Sequence, residues 1–269
     1  KLNGELVYID STGHISIFDP VQNTFEKMPS RLQGYINIRD FTFDYKNNEI
    51  LIVGITKLSD KCASIELDKY SYTYVNKQFS ISNKDNVWKS EQNCKFDIKL
   101  SGSRVAVLPD RYLVSTGIFQ GPTNSGIIKE NWPQKPHSSF GKIMSITRDG
   151  DIQVYASGLR NPQGMFVTQS PQKVFGTDHG PSGGDELNLI TEGRNYGWPC
   201  ISSGRLYSAQ LNDESFYPEI DSIDGCSSEL DYTKPTFSIS QSNIGISQGL
   251  SYSGSYFSAF TNNLIVSSL

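Results

Sequence analysis

The chain has 269 residues, of which 36% are hydrophobic and 19% are charged, a composition typical of a globular protein rather than a disordered one. Its formal net charge of −4 offers no basic surface and argues against nucleic acid as a partner. The sequence has no run near the roughly 18 consecutive apolar residues of a membrane span. Its 14 Tyr, 14 Phe, 23 Gly and 12 Pro favour strands joined by turns, which predicts an all-β protein.

The four cysteines are Cys62, Cys94, Cys200 and Cys226, and they lack the CxxC spacing of a zinc site. Their order favours two local disulfides, Cys62–Cys94 and Cys200–Cys226, as in an exported protein. Other pairings, or four buried thiols, stay open at this point. Because the chain starts at Lys1 and has no signal peptide, we expect a processed or partial chain, secreted, periplasmic or on the cell surface.

Short alternating strands separated by turn residues run through the first part of the chain. Residues 4–28 (GELVYID-STG-HISIFD-PVQN-TFEKM) predict a three-strand meander, with His14 as a structural residue in the second strand. Residues 39–75 predict further strands, with tight turns at 46–48 (KNN) and at Asp68–Lys69. The RDGD of residues 148–151 predicts a hairpin turn.

The same pattern continues to the end of the chain. Residues 162–190 predict a fourth group of strands and residues 246–269 a fifth, whereas residues 120–139 form a long loop of a kind that is usually functional or mobile. Recurrence at intervals of about 40–45 residues predicts a β-propeller, with a β-sandwich as the alternative. We interpret residues 1–269 as one propeller domain that is incomplete at its C-terminus. A missing segment or a neighbouring chain would then complete the ring.

The residues most suited to binding or catalysis lie between Gly158 and Ser203. The Gly180–Pro181 dipeptide does not suit a helix or a central strand, and it would point backbone carbonyls outwards, as Ca²⁺ sites require. Asp185 and Glu186 fall on opposite faces of an extended segment, so one of them could bind a structural cation but the two would not act as an acid–base pair. A solvated turn is the alternative for both.

Three other side chains in this stretch have two interpretations each. Arg160 could bind a carboxylate or quinone oxygen through two hydrogen bonds, or it could form a surface ion pair. Tyr196 and Trp198 could form a stacking wall, or belong to the core.

The run SGLRNPQG…DHGPSGGDELNLI…GRNYGWP resembles the soluble quinoprotein glucose and aldose sugar dehydrogenases, the glucose/sorbosone dehydrogenase family. The flanking runs LSGSRVAVLPDRYLVSTG and ISQGLSYSGSYFSAFTNNLIVSSL are similar to blades of that family. The resemblance implies a six-bladed β-propeller that binds pyrroloquinoline quinone (PQQ) and calcium and oxidises sugars by hydride transfer.

The resemblance also implies ligands for two calcium ions. The carbonyls of Gly180 and Pro181 would hold the calcium that polarises PQQ. Glu186 and the carbonyl of Tyr196 would hold a second, structural calcium, with Asp185 assisting. The cofactor cleft would be lined by Arg160, Asn161, His179, Gly180, Tyr196 and Trp198.

The sequence departs from the family at two positions. Leu100 stands where the family has its catalytic histidine, and a leucine cannot accept a proton. Ile118 stands where the family has an aspartate. We therefore expect a calcium-stabilised binding or structural module, with a sugar, a glycan or a protein partner on its top loops. The alternative is an active PQQ- and calcium-dependent aldose sugar dehydrogenase.

Overall fold

The computed structural model describes residues 4–60, 62–94, 100–119, 131–204, 221, 223–239, 242 and 244–269. Regular structure in these ranges is almost entirely β, with short 3-10 turns at Trp132–Gln134 and Ser258–Phe260, which confirms the all-β prediction. No helix in the described ranges has the length and apolar character needed to cross a membrane. The chain divides into two compact units, Lys1–Cys94 and Lys95–Leu269.

The described part of the first unit contains two antiparallel sheets in which consecutive strands are neighbours. The three-stranded sheet is the predicted meander, and His14 opens its second strand; its strands are β1 (Leu6–Ile9), β2 (His14–Asp19) and β3 (Thr24–Arg31). The four-stranded sheet consists of β4 (Tyr35–Asp44), β5 (Glu49–Lys57), β6 (Ala63–Val75) and β7 (Gln78–Lys89). Buried Ile, Met, Leu, Tyr and Phe side chains from the two sheets form one core cluster.

The turn predicted at Asp68–Lys69 is wrong, because β6 continues through it. Asp68 is fully buried there and is bound by Lys84 at 2.9 Å and by the Asn86 amide at 2.8 Å, both from β7. Aspartate is common in turns, but these cross-strand partners keep Asp68 within the strand. The chain turns instead at residues 76–77, which have positive φ angles of 52° and 63°.

In its described residues, the second unit contains three antiparallel sheets of consecutive strands. One is β8 (Val105–Val107), β9 (Arg111–Ser115), β10 (Lys142–Thr147) and β11 (Ile152–Ser157), with the predicted RDGD hairpin between the last two. The next is β12 (Pro162–Gln169), β13 (Gln172–Asp178), β14 (Asp185–Ile190) and β15 (Phe237–Ile239). The last pairs β16 (Ile246–Tyr252) with β17 (Asn263–Ser268).

Both predicted disulfides are present, Cys62–Cys94 in the first unit and Cys200–Cys226 in the second. All four cysteines are therefore oxidised, which removes the alternative of buried thiols. Sheets made of consecutive antiparallel strands are the pattern of propeller blades.

Candidate functional site

Asp178, the last residue of β13, organises the candidate site in the second unit. Its buried carboxylate accepts the backbone N–H of Arg160 at 2.8 Å and that of Asn161 at 2.6 Å. The Asn161 side-chain oxygen in turn accepts the Gly102 N–H at 2.9 Å. One carboxylate therefore fixes the turn before β12, and that turn fixes the segment that begins at Leu100.

Arg160 is buried, with only 4% of its surface exposed, so it does not belong to a surface ion pair. One guanidinium nitrogen donates to the carbonyls of His179 and Gly180, at 2.7 and 2.9 Å. The guanidinium carbon lies 5.4 Å from the ring centre of Trp198, within cation–π range. The arginine thus links the Gly180 loop to Trp198.

Asp185 and Glu186 point to different surroundings, as expected for neighbours in a strand. Asp185 is fully buried, and one of its oxygens accepts the Gly180 N–H at 3.0 Å. Its other oxygen accepts the N–H groups of Ile244 and Ile246, each at 3.1 Å. Both oxygens are thus occupied by backbone donors, which tie the Gly180 loop to the start of β16.

His179 lies beside Asp185, with 3.5 Å between its Nε2 and an oxygen of that carboxylate. Burial lowers the pKa of His179, and the Asp185 charge only partly opposes this shift. The imidazole is half-buried and belongs to the Gly180 loop.

Glu186 is partly buried and accepts hydrogen bonds from the Ser203 hydroxyl at 2.8 Å and the Asn188 amide at 3.3 Å. Burial raises the pKa of Glu186. Glu186 and Asp178 are register partners on neighbouring strands. Burial first, and then the Glu186 charge, raise the pKa of Asp178 to about 7. A buried carboxylate and a partly buried one that repel each other are an arrangement that a cation would stabilise.

A small cavity, here called the inner cavity, lies among these groups. Its volume is about 10 Å³, counted as the space that the centre of a water molecule can reach, so it has room for about one water or one ion. The Trp198 indole N–H is buried without a hydrogen-bond partner in the described part of the chain. The cavity is lined by Arg160, Asp178, Gly180, Pro181, Gly184, Glu186, Tyr196, Trp198, Ile201 and Ser202.

The inner cavity joins both sets of predicted calcium ligands, Gly180–Pro181 and Glu186–Tyr196. Asn161, His179 and Asp185 do not line it. Within the described ranges no group of three or more His, Cys, Asp or Glu side chains could hold a metal. A cation here would therefore combine carboxylates with backbone carbonyls, a donor set that suits Ca²⁺.

PQQ does not fit inside the inner cavity, because a tricyclic quinone is many times larger than one water. Among the described residues, Arg160 is the one cation that lines it, and the hydrogen bonds described above already engage that side chain with backbone carbonyls. PQQ could approach these residues only from outside the cavity.

Leu100 and Ile118, the two positions that the resemblance marks as departures, lie in segments that contact each other, and Ile118 also contacts Arg160. Ile118 is buried, and its N–H donates to the Arg160 carbonyl at 3.0 Å. The carbonyl of Leu100 accepts the Phe119 N–H at 2.8 Å. An aliphatic residue therefore occupies each of the two positions where the resemblance predicts a histidine or an aspartate.

Sequence reasoning missed two residues that shape the site. Asp178 gave a weak signal, as a carboxylate at the end of a strand just before the His-Gly-Pro run. Gln134 gave none: its amide donates to the Trp198 carbonyl at 2.7 Å and exchanges hydrogen bonds with Asn195. It lies in the loop predicted to be functional or mobile, of which residues 120–130 fall outside the described ranges.

The sequence model of the Glucose / Sorbosone dehydrogenase family matches residues 1–269, the whole chain. The chain belongs to this family. The aldose sugar dehydrogenase YliI of Escherichia coli is 35% identical over 82 residues, 25% of this chain and 22% of that protein. Quinoprotein glucose dehydrogenase B of Acinetobacter calcoaceticus is 36% identical over 78 residues, 24% of this chain and 16% of that protein.

An uncharacterized protein of Synechocystis is 40% identical over 124 residues, 40% of this chain and 30% of that protein. The matched stretches thus span less than a third of each of these relatives.

Solved structures show the fold. The apo-form of the soluble aldose sugar dehydrogenase from Escherichia coli superposes with a TM-score of 0.75 at 18% identity, covering 100% of this chain and 78% of that one. The PQQ-bound aldose sugar dehydrogenase from Streptomyces coelicolor gives a TM-score of 0.64 at 21% identity, over 93% of this chain and 69% of that one. The fold is an all-β propeller, so that prediction is confirmed and the β-sandwich alternative is wrong. The number of six blades stays a prediction.

Proposed function

We propose that this chain is a calcium-holding member of the glucose/sorbosone dehydrogenase family that binds a ligand rather than oxidising it. The observation that carries this proposal is the pair of aliphatic residues, Leu100 and Ile118, beside the Arg160 turn. Abstraction of a hydroxyl proton needs a group that accepts it, and a general base typically contributes about 10²–10⁴-fold in rate. Neither side chain can do so.

The calcium part of the proposal rests on the inner cavity. Glu186 and Asp178 would supply carboxylate oxygens, and the carbonyls of Gly180, Pro181 and Tyr196 would add neutral ones. Burial and then the Glu186 charge raise the pKa of Asp178, and a bound Ca²⁺ would offset the repulsion between the two carboxylates. Asp185 would hold the Gly180 loop in place through its three N–H contacts rather than act as a ligand.

A melting experiment tests the calcium part. We expect Ca²⁺ to raise the melting temperature of the purified protein relative to EDTA, since a ligand at about 100 times its Kd stabilises by about 2.7 kcal/mol. Glu186→Gln should abolish most of this rise, because an amide lacks the charge that holds the ion. The exposed Glu192→Gln serves as the matched control and should leave the rise intact. Equal rises in both variants would contradict the assignment of Glu186.

A dye-linked assay tests the non-oxidising part. With PQQ, Ca²⁺ and common aldoses, we expect no turnover above background. Turnover by the unmodified protein would overturn the proposal. Leu100→His is the informative variant, because it restores the family residue beside the Arg160 turn.

The second candidate is a PQQ- and calcium-dependent aldose sugar dehydrogenase. The buried Arg160, bonded to the Gly180 carbonyl, favours it, and relatives of this chain carry the names aldose sugar dehydrogenase and quinoprotein glucose dehydrogenase. In that case Arg160 and Asn161 would orient cofactor and sugar, with PQQ supplying the hydride acceptor when bound. The same dye-linked assay decides between the two candidates.

We also propose an oxidising location, secreted, periplasmic or at the cell surface. Its support is the two disulfides, which persist outside the reducing cytosol.

A further inference from the structure

The two disulfides of this chain differ in their exposure to solvent. Cys94 is exposed and Cys62 is half-buried, so a reagent in solution has access to the Cys94 end of that bond. Cys200 is buried, with only 2% of its surface exposed, and its partner Cys226 is half-buried. Exposed disulfides are more readily reduced than buried ones, and they include the labile and regulatory disulfides of proteins.

The exposed disulfide joins two strand ends across an antiparallel pair. Ala63 and Asn93 exchange both backbone hydrogen bonds, at 2.9 and 2.8 Å, and Cys62 and Cys94 form the next facing pair. The Cys62 carbonyl also accepts the Leu58 N–H at 2.9 Å, which closes the loop between β5 and β6. The disulfide therefore ties this loop to the residues that follow β7.

A bulge separates the Ala63–Asn93 pair from the rest of the β6–β7 ladder. The next pair is Ile65 and Ser90: the Ser90 N–H donates to the Ile65 carbonyl at 2.9 Å, and the Ser90 hydroxyl oxygen accepts the Ile65 N–H at 3.0 Å. One residue lies between Ala63 and Ile65, but two lie between Ser90 and Asn93, so the second side has one residue more than the ladder needs. The disulfide is the covalent lock on the pair beyond the bulge.

The core of the first unit is built from other residues. Ile50 and Ile52 on β5 and Phe79 on β7 are buried members of its core cluster. Within the described ranges, no member of that cluster lies at residues 58–62 or 90–94. Breaking the disulfide should therefore open the strand end locally and leave the unit folded.

The chemistry of opening is thiol–disulfide exchange with a dithiol. One thiolate of the dithiol attacks the Cys94 sulfur, the S–S bond breaks, and Cys62 leaves as a thiolate and takes up a proton. The second thiolate of the dithiol then attacks the dithiol sulfur of the mixed disulfide, which releases Cys94 as a thiolate that also takes up a proton. The cysteines gain two electrons and two protons, and the dithiol loses both and becomes a disulfide. Attack on Cys226 would instead expel the buried Cys200 as a thiolate, which burial disfavours.

We propose that Cys62–Cys94 is a thiol–disulfide exchange site, a reversible lock on this strand end that a dithiol reductant opens, whereas the other disulfide is structural. Cys94 is the last residue of the first unit, so the lock acts where the chain leaves that unit, six residues before Leu100 in the sequence. Closing is favoured because Ser90 stays bonded to Ile65 only four residues before Cys94, which keeps the two thiols near each other.

Timed reduction of the folded full chain with dithiothreitol tests the proposal. Samples are quenched with acid at successive times, and the free thiols are alkylated with N-ethylmaleimide and located by mass spectrometry. We expect Cys62 and Cys94 to become alkylated together, at least about tenfold faster than Cys200 and Cys226, whose bond must expel a buried thiolate. The second disulfide is thus an internal control in the same molecule.

Hydrogen exchange measures what the reduction opens. In the chain with only Cys62–Cys94 reduced, we expect faster exchange at the Ala63 and Asn93 amides, unchanged exchange along β5, and an unchanged circular dichroism spectrum. Replacing dithiothreitol by oxidised glutathione should restore both the disulfide and the slow exchange of these two amides.

Four results would overturn the proposal. They are equal reduction rates for the two disulfides, reduction of Cys62–Cys94 only as fast as the whole chain unfolds, unchanged exchange at Ala63 and Asn93 after reduction, and failure of the bond to re-form. None of these measurements needs calcium, PQQ or turnover, so the inference stands or falls independently of the proposed function.

Discussion

Replacing Asp185 by Asn tests how the Gly180 loop is held. The carboxylate is fully buried and accepts three backbone N–H groups, one on one oxygen and two on the other. An asparagine keeps one oxygen. In its best orientation that oxygen faces Ile244 and Ile246, and the new NH₂ group faces the Gly180 N–H.

The expected cost follows from these contacts. One buried N–H without a partner costs about 1–3 kcal/mol, and each of the two remaining bonds loses about 1 kcal/mol when the acceptor loses its charge. The sum is about 3–5 kcal/mol in the free energy of unfolding. At about 2–4 °C per kcal/mol for a domain of this size, the melting temperature should fall by about 6–20 °C.

Thermal melting followed by circular dichroism, with and without Ca²⁺, measures this effect. The exposed hairpin residue gives the control Asp151→Asn, for which we expect a change within about 0.5 kcal/mol. An unchanged melting temperature in Asp185→Asn would refute the argument from the three N–H contacts. Loss of the calcium-dependent rise in a variant that is otherwise folded would show instead that Asp185 is a calcium ligand.

Three further predictions concern the scaffold. Gly158→Ala should destabilise by at least about 2 kcal/mol, because the new Cβ would clash with the side-chain oxygen of Asn195 at a backbone φ of +76°. Gly150→Ala also has a positive φ, but its Cβ would meet no atom within 4 Å, so this control should cost less. Ile52→Ala should cost about 2–5 kcal/mol by chemical denaturation, since that side chain is fully buried. Replacing both Cys200 and Cys226 by serine should lower the free energy of unfolding by about 3–4 kcal/mol, as expected for a sequence separation of 26 residues. Equal denaturation midpoints of the unmodified chain under reducing and non-reducing conditions would contradict this.

Local pattern was sufficient for much of the fold. Alternating residues and turn signals predicted the meander that contains His14 and the RDGD hairpin, because both depend on neighbours in the chain. Cysteine order predicted both disulfides for the same reason, since each closes a local loop. The turn predicted at Asp68–Lys69 is wrong because tertiary contacts override the local pattern: partners on β7 keep Asp68 inside its strand.

The sequence alone singled out residues 158–203 as the candidate site, but it did not predict how the side chains of that segment are arranged. Which of Asp185 and Glu186 faces the inner cavity depends on the N–H groups of Ile244 and Ile246, about 60 residues further along the chain. The role of Asp178 depends on its contacts with the Arg160 turn. Sequence periodicity reports the burial of a residue within its own element. Only the tertiary fold brings donors and acceptors from distant segments to one carboxylate, because hydrogen bonds depend on distance and direction in space rather than on separation along the chain.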